Sequence, residues 1–156
     1  MVGLTLEKAL EAVTAATIYA RNNSLAPMTI AVLNEKGVLK AFVAEDSVTI
    51  DCSDVAIHKA HEALAMGNNA HARKRFQKQH PHLNDDVARA TFGTTRLVPG
   101  GLVIRARDGG IIGAIGVMGG EPDVDHAVAS AGAYQAELTG NEPRLGHIKM
   151  NYLSPL

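Results

Sequence analysis

Residues 108–126, DGGIIGAIGVMGGEPDVDH, constrain the fold of this chain more than any other stretch. The Asp-Gly pair at their start is typical of a two-residue hairpin turn, because both residue types tolerate the positive φ that the turn needs. Residues 111–117 are apolar and predict a buried strand, whose glycines indicate close approach of another backbone or of a ligand. Pro122 suits the first position of a helix. The stretch therefore predicts a hairpin, a buried strand, a glycine turn and a helix.

Hydrophobic periodicity and turn residues predict the remaining elements. Thr5 suits an N-cap, and Ser53 or Asp54 suits another. The buried stripe of the last helix is expected to contain Val124, Ala127, Val128, Ala131 and Leu138. Hairpins pair antiparallel strands, so the order of elements indicates an α+β domain and not a doubly wound parallel sheet. The pattern predicts helices over 5–22, 54–67 and 122–138, and strands over 28–33, 38–43, 94–98, 102–107 and 111–117.

Composition excludes several classes of protein. The chain has 156 residues, enough for one domain with a real core, and a formal net charge of −1 with few aromatic residues. These values argue against a nucleic-acid partner. Cys52 is the single cysteine, which favours a reducing cytoplasm. No segment resembles a signal peptide or a membrane span.

The patterns are weaker over residues 67–93 and at the end of the chain. A basic run within residues 71–80 contains Arg73, Lys74, Arg75 and Lys78 and predicts a solvated face. The alternative is a lid that draws an anionic ligand towards a pocket. The tail, residues 139–156, alternates in polarity and is expected to extend a sheet edge.

Three segments together resemble the GlcG/HbpS family, also called the haem-degrading domain family. They are PMTIAVLNEKGVLKAFVAEDS, SDVAIHKAHEAL and GGLVIRARDGGIIGAIGVMGGEPDVDHAVASAGA, and the resemblance covers most of residues 4–138. It implies one domain over residues 1–156, with its core at 4–138, a C-terminal extension at 139–156 and about five antiparallel strands flanked by helices in profilin- or PAS-like layering. It also implies haem as a ligand and assembly into homo-oligomers.

The helix over 54–67 carries candidate ligands. His61 recurs at helical spacing with apolar residues and is expected on the buried face. His58 lies three residues earlier, so the two imidazoles can meet and hold a metal ion or haem iron. The alternative for each is a structural or surface role. Lys59 is either a pocket cation or a residue whose charged end extends to solvent.

The glycine turn is the second candidate site. Free N–H groups before a helix can bind a carboxylate or a haem propionate, although the acidic first turn opposes this. Met118 lines an apolar pocket or offers a soft sulfur to iron, and His126 either interacts with Asp125 or faces solvent. The predicted ligand-binding residues are Gly116, Met118, Gly119, Gly120, His61 and His126.

Three functional hypotheses follow. The first is a small-ligand-binding protein that holds haem or another planar or anionic ligand. The second is an enzyme or accessory subunit in the catabolism of hydroxy acids, diols or aromatic compounds, and the third is a structural oligomer. No nucleophile elbow, dinucleotide loop, HExxH or CxxC motif is present. Acid–base chemistry in the second hypothesis would use Lys59, His58, Asp46 and Asp125.

Overall fold

The computed structural model describes residues 3–67, 78–79, 81 and 100–138. The predicted strand over 94–98, the basic run, apart from Lys78, and the tail lie outside these residues. Three long helices and four strands are described, and their order along the chain is α1 Leu6–Asn22, β1 Thr29–Asn34, β2 Leu39–Ala44, α2 Ile50–Gly67, β3 Gly101–Arg105, β4 Ile111–Met118 and α3 Pro122–Leu138.

The four described strands form one antiparallel sheet in the order β2-β1-β4-β3. The central strands β1 and β4 are the most apolar, and five of the six residues of β1 are buried. A strand covered on both faces must be apolar throughout, whereas edge strand β2 has one buried residue, Ala41. The predicted α+β class is confirmed, with four strands in the described residues where about five were expected.

Helices cover both faces of the sheet. The helices α1 and α3 pack against each other and share one face, where the larger hydrophobic core contains Ile30, Val32 and Ile115. The helix α2 packs on the opposite face, chiefly over β4, β1 and β3. Leu33 and Ala114 pair across β1 and β4 and belong to the smaller cluster beneath α2.

The helix α2 approaches the sheet so closely that backbone touches backbone. A Cβ on Gly116 would overlap the carbonyl oxygen of Ala56 and lie 2.7 Å from the backbone nitrogen of Ala60. Ala31 and Gly101 flank Gly116 on the neighbouring strands. We call these five residues the small-residue contact. The close approach expected from the strand glycines is therefore made by a helix of the same chain.

The hairpin between β3 and β4 differs from the predicted two-residue turn. The N–H of Ala106 donates to the carbonyl of Gly110 at 2.8 Å, and Gly109 donates back to Ala106 at 2.9 Å. Gly109 alone in this loop has positive φ, at 87°. The loop therefore has three residues and ends in a left-handed glycine, which is the next most common hairpin geometry. Asp108 contributes by accepting a hydrogen bond from the Gly110 N–H at 2.8 Å.

Two helix boundaries are confirmed and one is wrong. Thr5 caps α1 and accepts a hydrogen bond from the Lys8 N–H at 3.2 Å, and α3 spans the predicted residues. The helix α2 begins at Ile50, ahead of the predicted start at residue 54. Its first turn forms at Thr49, whose carbonyl accepts from the Cys52 N–H at 3.1 Å. None of the described helices combines the length and apolar character that a membrane crossing requires.

The buried stripe of α3 also differs from the prediction. Val128 is buried as expected, but Val124, Ala127 and Ala131 are only half-buried. The reason is the contact with α1, since a Cβ on Gly132 would lie 2.8 Å from the carbonyl oxygen of Ala12. This close approach turns a face of small residues inward, and its buried members include Ala129, Gly132, Ala133 and Ala136.

Candidate functional site

An ion pair joins the two helical layers at the end of β4. The Lys59 ammonium on α2 lies 3.1 Å from Oδ2 of Asp125 on α3. The same ammonium donates to the carbonyl of Val117 at 2.9 Å. The Lys59 side chain is 17% exposed and that of Asp125 is 1% exposed. Both residues were candidates from the sequence, but nothing in the sequence indicated that they pair.

Asp125 also fills the glycine turn that was expected to bind a ligand. Its Oδ1 accepts a hydrogen bond from the Gly120 N–H at 2.7 Å. Burial raises the pKa of Asp125 above its ordinary value, and the Gly120 N–H and the Lys59 ammonium oppose that rise. Gly119 packs against Pro27 and Met28. The chain therefore supplies its own carboxylate to the helix start, where an outside anion was predicted.

Gly100 covers the ion pair from the side of β3. Its φ is +86°, and its carbonyl accepts a hydrogen bond from the Val117 N–H at 2.7 Å. A Cβ at this position would lie 2.8 Å from Lys59 Nζ and 3.0 Å from Asp125 Cβ. A glycine is needed here both for its backbone conformation and for the space that its missing side chain leaves.

The contacts of the candidate histidines involve other residues than this ion pair. His126 is buried, and its Nε2 lies 3.4 Å from Ser130 Oγ, so the alternative in which it faces solvent is wrong. His58 is exposed and its Nε2 lies 2.8 Å from Oε1 of Glu62. In the described part of the chain, no three His, Cys, Asp or Glu side chains gather as a metal site would require.

His61 is exposed and does not lie on the buried face of α2 as predicted. At the small-residue contact, α2 packs against the sheet with its smallest side chains, and the buried residues include Ala56, Ala60, Ala63 and Gly67. His61 therefore lies on the side of the helix, next to this buried face. There a Cβ on Gly37 would lie 3.3 Å from Cε1 of His61. The His61 flank of α2 therefore faces the turn between β1 and β2.

The remaining catalytic candidate, Asp46, lies in an exposed turn just after β2. Of the four acid–base candidates, the structure pairs Lys59 with Asp125 and gives His58 a different partner, Glu62. Acid–base catalysis by these residues stays a prediction.

The surface between α2 and edge strand β2, which the sequence did not indicate, is left partly uncovered. Phe42 pairs with Ala31, and Ala31 pairs with Gly116, so the Phe42 side chain projects from the face that carries α2. Because α2 lies chiefly over the other three strands, Phe42 stays 38% exposed and Leu39 45% exposed. His61 and the half-buried Ile57, one helical turn apart, line the opposite side. We call this the α2–β2 groove.

Charged residues are distributed unequally around the end of the α2–β2 groove near His61. Lys36 precedes Gly37 in the turn that His61 contacts, and Lys40 follows Leu39. The Glu35 carboxylate instead packs against Gly3, at the start of the chain. Lys36 and Lys40 are therefore neighbours in the chain of residues that form this end of the groove.

Comparison with known proteins identifies relatives of this chain. The family model described as "Haem degrading protein HbpS-like" matches residues 4–134. No curated protein sequence is similar enough to count as a match.

Three solved structures are similar over most of their length. HbpS superposes with a TM-score of 0.63 at 27% identity, covering 85% of this chain and 89% of that chain. A complex named PduOC:Heme gives 0.64 at 21% identity, covering 86% and 95%. Klebsiella pneumoniae protein ORFY gives 0.65 at 17% identity, covering 88% and 93%. The last two are too distant in sequence to indicate more than a shared fold.

Proposed function

Because this chain belongs to the HbpS-like family of haem-degrading proteins, we propose that it binds haem, or a related planar ligand with anionic groups, in the α2–β2 groove. The observation that carries the proposal is an uncovered apolar strip, Phe42 and Leu39, beside the exposed imidazole of His61. Haem needs both an apolar surface for its ring and a ligand for its iron.

The residues of the groove fit the chemistry of haem. His61 would be the axial ligand, since histidine is the commonest protein ligand of haem iron. Phe42 and Ile57 would contact the porphyrin faces or edges, and Lys36 and Lys40 would pair with its propionates. When bound, haem would supply a redox-active iron, while the protein would bind and orient it.

The glycine turn is a poorer place for the same ligand. Its Gly120 N–H already donates to Asp125, and a propionate there would meet that carboxylate at close range. His126 lies 3% exposed within α3, which leaves its ring little access to a porphyrin. The α2–β2 groove has neither obstacle.

The test is a titration of the purified full chain with haemin, followed at the Soret band. We expect a saturable spectral shift at one haem per chain. His61→Ala is expected to change the Soret and visible bands of the bound haem and to weaken binding at least tenfold, because the iron loses its protein ligand. His58→Ala is the matched control, since it removes an exposed imidazole from the same helix and should leave the titration unchanged.

Phe42→Ser provides a second, independent test of the location. The substitution removes an aromatic surface from an edge strand without opening a cavity in the core, so the fold should survive. We expect weaker haem binding with an unchanged axial-ligand spectrum. If His61→Ala and Phe42→Ser both bind haemin like the original protein, then the groove is not the site. The absence of any saturable shift would rule out haem as the ligand.

We also propose that the chain assembles with copies of itself and that it is cytoplasmic, as the sequence predicts. The exposed apolar side chains of Leu6 and Leu10 on α1 support assembly into a homo-oligomer. The lone, half-buried Cys52 fits a cytoplasmic location.

A further inference from the structure

We propose that Met118 is a site of reversible oxidation by peroxides, and that Lys59 promotes the reaction and then binds the sulfoxide. The contact that carries this inference joins Lys59 Nζ to Met118 Sδ at 3.6 Å. Met118 is half-buried at the end of β4, so its side chain is partly open to solvent. The site lies on the flank of α2 that faces away from His61, and it does not depend on haem binding.

The hydrogen bonds of Lys59 leave one donor directed at the thioether. An ammonium group has three protons. Two oxygen acceptors lie nearby, the Val117 carbonyl at 2.9 Å and the Asp125 carboxylate at 3.1 Å. The third neighbour is the Met118 sulfur, which accepts hydrogen bonds only weakly. A sulfoxide oxygen at this position would give the ammonium a third strong acceptor.

The reaction needs only a peroxide as co-reactant. One oxygen of hydrogen peroxide forms a bond to Met118 Sδ while the O–O bond breaks. The sulfur loses two electrons, and the second oxygen leaves as hydroxide. The oxygen now on sulfur gives up its proton, the hydroxide takes up that proton, and the products are a neutral sulfoxide and water. The Lys59 ammonium, fixed beside the sulfur, stabilises the negative charge that develops on the leaving oxygen.

Two other methionines in the described residues provide internal references. Met28 is fully buried in the core, where a polar sulfoxide would disrupt packing. Met66 is half-buried like Met118, but it packs against the hydrophobic core. The effect of Lys59 itself is therefore measured by comparing Met118 in the original protein with Met118 in a Lys59 variant, with Met66 as the reference for the general rate of oxidation.

The experiment exposes the full chain to hydrogen peroxide in the presence of a metal chelator and follows each methionine by peptide mass spectrometry. We expect Met118 to oxidise about tenfold faster than Met66, which corresponds to an activation free energy lower by about 1.4 kcal/mol. Lys59→Gln keeps donors for Val117 and Asp125 but removes the charge and the third proton. We expect it to slow Met118 oxidation to the rate of Met66, with circular dichroism confirming the fold.

Lys59→Arg keeps the charge, so it tests the proposal even if the glutamine variant does not fold. We expect Met118 in this variant to keep most of its excess rate. Equal rates at Met118 and Met66 in the original protein would overturn the proposal, as would an unchanged Met118 rate in folded Lys59→Gln. A methionine sulfoxide reductase should restore the oxidised protein under native conditions, and failure to do so would refute reversibility.

Discussion

At the scale of single residues, Lys59 and Asp125 depend on each other for their burial. Asp125 is 1% exposed, so removal of Lys59 leaves a buried carboxylate without its cation. Loss of one partner of a buried pair is far more costly than loss of both. We expect Lys59→Ala to lower the free energy of unfolding by about 3 kcal/mol, as measured by urea denaturation.

The double variant Lys59→Met/Asp125→Leu tests the reason for that loss. It removes both charges and fills the space with apolar atoms, so part of the lost stability should return, although the Gly120 N–H and the Val117 carbonyl lose their side-chain partners. If the single variant costs less than about 1 kcal/mol, the pair behaves like an exposed ion pair and our interpretation is wrong.

Glu137 near the end of α3 predicts a dependence of stability on pH. Burial raises the pKa of this carboxyl to about 7, although the N–H of Arg105 donates to it at 3.1 Å and the Arg105 charge opposes the rise. The folded protein therefore holds this proton more tightly than the unfolded chain does. Its favourable contribution is complete below the unfolded pKa of about 4.5 and decreases as pH rises to about 7.

The measurement compares thermal unfolding of the original protein and Glu137→Gln from pH 4 to pH 9. We expect the glutamine variant to gain relative stability as pH rises, by at most about 1.4 kcal/mol per pH unit, with no further gain above the folded pKa. Glutamine stays neutral and can still accept from Arg105. A constant difference across the range would show that Glu137 titrates normally.

The sequence singled out individual candidate residues but not their arrangement. Lys59, Asp125, Met118 and His61 were all candidates, because charged, sulfur and imidazole groups beside apolar runs are conspicuous in a sequence. Their neighbours were not predictable, since the pairing of Lys59 with Asp125 joins residues that are far apart in the chain. Phe42 was missed because an exposed aromatic on an edge strand gives the same alternating pattern as a buried one.

At the scale of elements, the position of α2 depends on the small-residue contact. A methyl group on Gly116 would overlap the Ala56 carbonyl, so the helix would have to move away from β4. We expect Gly116→Ala to lower the free energy of unfolding by about 3 kcal/mol, within the range of overpacked cores. It should also weaken haemin binding, because the groove changes shape.

Gly109→Ala is the matched control for that substitution. A Cβ there would meet nothing within 4 Å, but the φ of +87° remains unfavourable for alanine. The expected loss is about 1 kcal/mol, with haemin binding unchanged. If Gly116→Ala is no more costly than Gly109→Ala in chemical denaturation, then α2 is not held by backbone contact.

Elements with strong local signals were predicted well. The cap at Thr5, the proline at the start of α3 and the hairpin of β1 and β2 all depend on nearby residues, and the structure confirms them. The start and the orientation of α2 depend instead on how closely Ala56 and Ala60 approach the sheet. No periodicity within the helix contains that information, so His61 was assigned to the wrong face.

At the scale of the whole molecule, the exposed apolar residues predict self-association. Leu6 and Leu10 are 53% and 47% exposed and lie one turn apart on α1. A pair of large exposed leucines on one helix face is typical of a contact surface. We expect sedimentation equilibrium to give a mass at least twice the 16.4 kDa of one chain.

Leu6→Ser/Leu10→Ser should reduce that mass towards the monomer value. Ile50→Ser is the control, because Ile50 is 77% exposed but lies on α2, away from α1. A monomeric original protein would refute the homo-oligomer proposal. An oligomer that only Ile50→Ser dissociates would place the interface on α2.

The small-residue contact also limits how the groove can change over evolution or in the laboratory. The helix α2 packs against main-chain atoms of β4, which no substitution can remove. The side of the groove that carries His61 therefore has a nearly fixed position. Edge strand β2 has no such restraint, and Leu39 and Phe42 already face solvent. New ligand preferences would therefore be acquired by exchanging side chains on β2, while the position of α2 stays the same.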